Sequence, residues 1–131
     1  MTAPKIQQLA LIAAALAGVA GAAGVILSAV SAHLSASPLL TTAASFLLIH
    51  AVATLALAAL ALAAPRRGGW FLCGAALFLF GSMLFCSDLA FRALLGVRLF
   101  PMAAPIGGSA LILGWLSSAV AALAALASKA A

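Results

Sequence analysis

The chain has 131 residues, of which 68% are hydrophobic and 5% charged, with six Lys/Arg against one acid and a net charge of +5. Soluble domains carry roughly 25% charged residues, so this composition excludes one and makes lipid the solvent. The cations stand singly or as one pair at the ends of apolar runs, which excludes a nucleic-acid partner and marks them as topology signals.

The first apolar run, residues 6–30, follows Lys5. At about 25 residues it exceeds the 7–15 of a signal-peptide core and reads as a retained membrane anchor. Small residues recur every fourth position at Ala14, Gly18 and Ala22 and at Ala20, Gly24 and Ser28. This spacing lets helix backbones approach closely in lipid, and it places the first helix at the centre of the bundle. From Ser31 to Leu40 the run loosens into a turn, where Pro38 keeps Ser37 out of helical geometry. His33 in this turn reads as a solvated side chain, since no second metal ligand lies at helical spacing from it.

Residues 42–64 form the second expected helix, with Thr41 or Thr42 offering a capping hydroxyl and Pro65-Arg-Arg-Gly-Gly as its stop. The third, residues 70–95, opens on Trp70 beside Arg66 and Arg67, the company of an interfacial aromatic anchor. Its two cysteines, Cys73 and Cys86, lie roughly 20 Å apart along one helix, which excludes a disulfide between them and leaves packed free thiols. Asp88, the only acid, stands four residues before Arg92, the spacing at which two helical side chains meet. A short connection over residues 97–104 leads to the fourth helix, residues 105–127, with Pro105 expected as its first residue. Ala110, Gly114, Ser118 and Ala122 form a second small-residue stripe.

The expected fold is therefore an all-α, integral membrane four-helix antiparallel bundle, with residues 1–131 as a single transmembrane domain. Four crossings put both termini on one side with Lys5, Arg66, Arg67 and Lys129, against Arg92 and Arg98 on the other. The excess places the termini in the cytoplasm.

Ionisable residues inside a membrane are the first candidates for function. Counted from Pro65 and Trp70, His50 lies about 22 Å and Asp88 about 27 Å along antiparallel helices. The depths suggest a candidate polar cluster of His50, Asp88, Arg92 and Trp115. It reads either as a proton-titrating or ligand-binding site, or as a pin in which His50 donates to a backbone carbonyl and Asp88 satisfies Arg92. Trp115, too deep for an interfacial belt, is expected to fill space beside small residues and to donate its indole N–H to His50 or a serine. The serines at 28, 82, 87, 117 and 118 are expected to bond back to their own helix carbonyls. No nucleophile with its base, metal-ligand spacing or phosphate cradle occurs, so no catalytic residue, metal or cofactor is assigned.

Four stretches resemble the motifs of one family. Ala29-Val-Ser-Ala-His-Leu looks like Gly-Ala-Phe-Gly-Ala-His-Gly-Leu, and Phe46-Leu-Leu-Ile-His-Ala-Val-Ala-Thr-Leu-Ala-Leu is similar to Tyr-x-x-x-His-Ala-x-Ala-Leu-Leu. Leu79-Phe-Gly-Ser-Met-Leu-Phe-Cys-Ser-Asp-Leu resembles Leu-Phe-x-Gly-x-x-Leu-Phe-Ser-Gly-Ser-Leu with a one-residue offset in its first part. Ala104-Pro-Ile-Gly-Gly-Ser-Ala-Leu-Ile-Leu-Gly-Trp-Leu is close to Thr-Pro-Ile-Gly-Gly-Leu-Ala-Phe-Ile-Leu-Gly-Trp-Leu. These mark the domain of unknown function 423 family, small bacterial inner-membrane proteins related to transmembrane protein 256-like proteins. The resemblance implies four transmembrane helices and an inner-membrane location, with no established activity. It puts His33, His50, Gly107, Gly108 and Trp115 on family motif positions, whereas Asp88 and Arg92 depart from the small polar and apolar residues usual there.

The leading functional expectation is a non-enzymatic accessory or assembly subunit in the lipid bilayer, packing its Ala/Gly faces within a larger membrane complex or homo-oligomer. A small oligomeric transporter or channel with a polar site around His50 and Asp88 is the second reading. A quinone- or lipid-binding membrane subunit is the third.

Overall fold

Four apolar runs fold as four helices, α1 (Ala3–His33), α2 (Pro38–Ala63), α3 (Gly68–Leu95) and α4 (Ala103–Ala130), with no strand among the described residues. The computed structural model describes the backbone of residues 1–34 and 36–130 and the side chains through residue 127. Ser35 in the first turn and the side chain of Lys129 lie outside the described residues. Each helix is long and apolar enough to cross a bilayer, so the protein is a multi-pass membrane protein.

Prolines set the helix starts, earlier than the hydropathy alone suggests. Pro38 is the first residue of α2 rather than part of the turn before it, after Ser37 in extended geometry (φ −92°, ψ 122°). A proline there loses no hydrogen bond, because the first four helical N–H groups have no intrahelical acceptor. Thr41 and Thr42 consequently sit inside the helix and do not cap it. Thr42 donates to the Pro38 carbonyl at 2.9 Å, and Thr41 shares a 2.7 Å hydrogen bond with Ser31 of α1. The same logic moves the start of α4 to Ala103, with Pro105 its third residue rather than its first. α3 ends on Gly96, whose φ of 71° is the left-handed geometry glycine supplies without a Cβ clash.

α2 and α3 form the central pair; α1 packs on α2 and, less extensively, on α3, while α4 packs on α3. No comparable contact joins α1 to α4 among the described residues. The expectation that α1 lies at the centre is thus wrong, and its glycines explain why. Gly24 faces α2, where a Cβ would come within 2.8 Å of the Leu48 side chain, but Gly18 faces outward with no atom within 4 Å of that position. Of the two α1 stripes, that of Ala20, Gly24 and Ser28 turns into the bundle, whereas the other packs on the core only at Ala14 and is exposed at Gly18 and Ala22.

The main core gathers Ile6, Ala10, Leu57, Phe71, Phe78 and Leu111, and a second cluster of Ala43, Leu47, Cys86 and Leu89 lies toward the Asp88 end.

Candidate functional site

His50 is buried on the α2 face that meets α3 and α4. Its Nδ1 lies 2.7 Å from the Phe46 carbonyl oxygen, and its Nε2 lies 3.2 Å from the Trp115 indole nitrogen. A carbonyl only accepts and an indole N–H only donates, so the proton is on Nδ1 and Nε2 is the acceptor. Both ring nitrogens are engaged. Phe78 wedges beside the pair, its ring centroid 5.2 Å from His50 and 4.9 Å from Trp115, both edge-on. Trp115 does donate to His50, but its ring does not fill an interior gap. It is 51% exposed and lies along the outer surface of α4.

Asp88 is 2% exposed, and its environment is a loop end rather than a membrane-centre relay. Oδ1 accepts the Leu99 N–H at 2.9 Å, and Oδ2 lies 3.8 Å from the Arg92 guanidinium. The carboxylate thereby ties the 96–102 connection to the last turns of α3. Met102, at φ 72° just before α4, bends the chain back.

The four residues of the expected cluster thus form two separate pairs. His50 is joined to Trp115 and Asp88 to Arg92, with no hydrogen bond between the pairs among the described residues. The level from which depths are counted explains the separation. Gly68 packs directly on the Ala61 carbonyl, so α2 and α3 are level there rather than at Pro65 and Trp70. From that origin Asp88 lies about 13 Å beyond His50 along the bundle, at 1.5 Å per residue. His33 ends α1 on the exposed surface.

Glycines build the seam between α3 and α4. A Cβ on Gly107 would stand 2.6 Å from the Phe85 backbone nitrogen, and one on Gly81 would stand 2.8 Å from the Gly107 carbonyl oxygen. Seven residues along each helix, Gly74 and Gly114 repeat the approach, with a Cβ on Gly74 3.4 Å from the Gly114 carbonyl. Gly108 is beside this seam without being part of it, since a Cβ there would meet only Phe85 ring atoms at 3.8 Å. Gly74 and Gly81 belong to no every-fourth-residue stripe in the sequence. Their seven-residue interval, matched by Gly107 and Gly114, is the signal that locates them.

On the opposite side of α3, a cleft of about 590 Å³ opens between α1, α2 and α3. Leu16, Val19 and Ala23 of α1 form one wall, Phe78, Ser82 and Cys86 of α3 the other, and His50 and Thr54 of α2 the floor. Thr54 donates to the His50 carbonyl at 2.7 Å. The expectation that helix serines bond back fails at Ser82 and Ser117, whose buried hydroxyls have no partner. Ser118 does bond back, donating to the Trp115 carbonyl at 2.8 Å.

Residues 20–108 match the family described as Protein of unknown function (DUF423). The chain belongs to this family. The matched stretch holds His33, His50, Gly107 and Gly108 together with Asp88 and the whole cleft wall of α3, while Trp115 follows it. No curated protein and no solved structure matches the chain. Among the described residues no group of three His, Cys, Asp or Glu side chains is placed to hold a metal ion.

Proposed function

We propose that this family member is a non-enzymatic accessory or assembly subunit of a bacterial inner membrane, packing the outward face of α1 against a helix of another membrane protein. The observation that carries the reading is Gly18, which has no neighbouring atom within 4 Å of its Cβ position, with Ala15 and Ala22 exposed around it. Small residues help association in lipid by letting a second backbone come close, a benefit that acyl chains do not draw on. The charges support an orientation with both termini in the cytoplasm, since Lys5, Arg66, Arg67 and Lys129 outnumber Arg92 and Arg98. A transporter centred on His50 and Asp88 draws less support. Both imidazole nitrogens are occupied, and the carboxylate is committed to the Leu99 N–H and Arg92.

A photoreactive amino acid placed at Ala22, with Ile112 on the outward face of α4 as the control, tests this reading in cells. A discrete protein adduct from position 22, absent at 112 and lost on Gly18→Leu, is the expected result. An adduct whose mass is twice that of the chain identifies a second copy as the partner. Lipid adducts alone, at both positions, overturn the proposal.

A further inference from the structure

The cleft between α1, α2 and α3 lies on another part of the surface from Gly18, and its chemistry concerns a small molecule. We propose that it binds a quinone-like hydrophobe, a flat ring bearing a carbonyl acceptor and an apolar tail, with the Ser82 hydroxyl donating to that carbonyl.

The argument begins with depth. Ser82 lies ten residues from Arg92 and fifteen from Arg67 along α3, or about 15 Å and 22 Å at the helical rise. It therefore sits inside the hydrocarbon layer, about 30 Å thick, and its ligand must come from the lipid phase. A buried hydroxyl without a partner is costly, and helix serines ordinarily escape the cost by bonding to their own backbone. Ser82, 4% exposed, does not; it is one of the residues that line the cleft, and its oxygen is buried there without a partner.

The other polar groups that line the cleft are largely committed. The His50 nitrogens face Phe46 and Trp115, and Thr54 donates to the His50 carbonyl. What remains for a ligand is an apolar trough with the hydroxyls of Ser82 and Ser87 on its α3 wall, Ser82 the deeper of the two. The volume of about 590 Å³ falls within the range of about 300–1,000 Å³ that small-molecule sites occupy. A phospholipid or fatty acid carries its oxygens at the membrane surface, above Ser82, and would leave that hydroxyl bare. A neutral carbonyl on an otherwise apolar ring suits it, and the exposed side chains of Phe80 and Phe91, which also line the cleft, offer aromatic contact for the ring.

Trp115 reports on the site. Its ring packs 4.9 Å from Phe78, which lines the cleft, whereas Trp70 lies near the other end of α3. The full chain carrying Trp70→Phe, in nanodiscs, is titrated with a decyl-substituted benzoquinone while Trp115 emission is followed. Saturable quenching is expected, with affinity about fivefold weaker in Ser82→Ala, the worth of one hydrogen bond. Ala23→Phe, which fills the cleft from the α1 wall, should abolish the saturable phase, and excess oleic acid should leave it intact.

Linear, unsaturable quenching overturns the proposal. So does relief by oleic acid, which marks a generic acyl-chain groove, or an affinity unchanged by Ser82→Ala. If Ala23→Phe fails to fold, as read by helical circular dichroism and gel filtration, Leu16→Phe on the same wall replaces it. None of these outcomes bears on the Gly18 face, so the two proposals fail separately.

Discussion

The Trp115 indole donates to Nε2 of His50 across 3.2 Å, joining α4 to α2, two helices that otherwise pack mainly through α3. The bond also fixes the imidazole tautomer. Trp115→Phe should destabilise the bundle by about 0.5–1.5 kcal/mol, one interhelical hydrogen bond in a membrane setting. His50→Ala should cost more, because it also leaves the indole N–H unpaired and removes the ring that packs on Phe46 and Phe78. Reversible unfolding in mixed micelles checks the order; equal losses would contradict it.

Asp88 accepts the Leu99 N–H at 2.9 Å and makes a longer contact with Arg92, whose side chain is 33% exposed. Asp88→Asn keeps an acceptor oxygen and should leave the 96–102 connection protected from hydrogen exchange. Asp88→Ala should free the Leu99 amide, and its exchange should accelerate at least tenfold. Arg92→Ala should change little, because partly exposed ion pairs contribute at most about 1 kcal/mol.

The α3–α4 seam predicts opposite fates for equivalent substitutions. Gly107→Ala drives a methyl to within 2.6 Å of the Phe85 backbone, which cannot rotate away, and should destabilise by about 1–3 kcal/mol or more. Gly18→Ala meets open space and should stabilise the isolated bundle by up to about 1 kcal/mol through helix propensity. Thermal unfolding of both variants in detergent provides the comparison.

Cys73 is exposed near Trp70, whereas Cys86 is buried. A membrane-impermeant maleimide should label Cys73 in inverted vesicles and not in intact cells, with Cys86 unlabelled until the protein is denatured. Labelling in intact cells would instead place both termini outside the cytoplasm.

How far the sequence carries can be seen in particular residues. Hydropathy reveals four helices because lipid demands long apolar runs, but it sets the start of α2 four residues late, since Pro38 suits a first helical turn as well as the turn before it. The His50–Trp115 bond is legible as well, since a deep indole N–H requires an acceptor and few are available. The level shared by α2 and α3 is not legible. It depends on Gly68 touching Ala61, a contact that the turn composition does not announce. Nor does spacing tell which glycine stripe faces inward: Gly24 and Gly18 look alike in an Ala-rich run, and only the position of Leu48 separates them. The cleft beside Ser82 is a gap shared by three helices, and no single segment encodes a gap.

The Gly81–Gly107 crossing, with its echo at Gly74 and Gly114, also bears on what can pass through the molecule. Where two main chains touch, a file of water molecules has no room, and without water neither a hydrated ion nor a relayed proton can travel. Any current along that line would require α3 and α4 to part, giving up the very contact their side-chain-free residues allow.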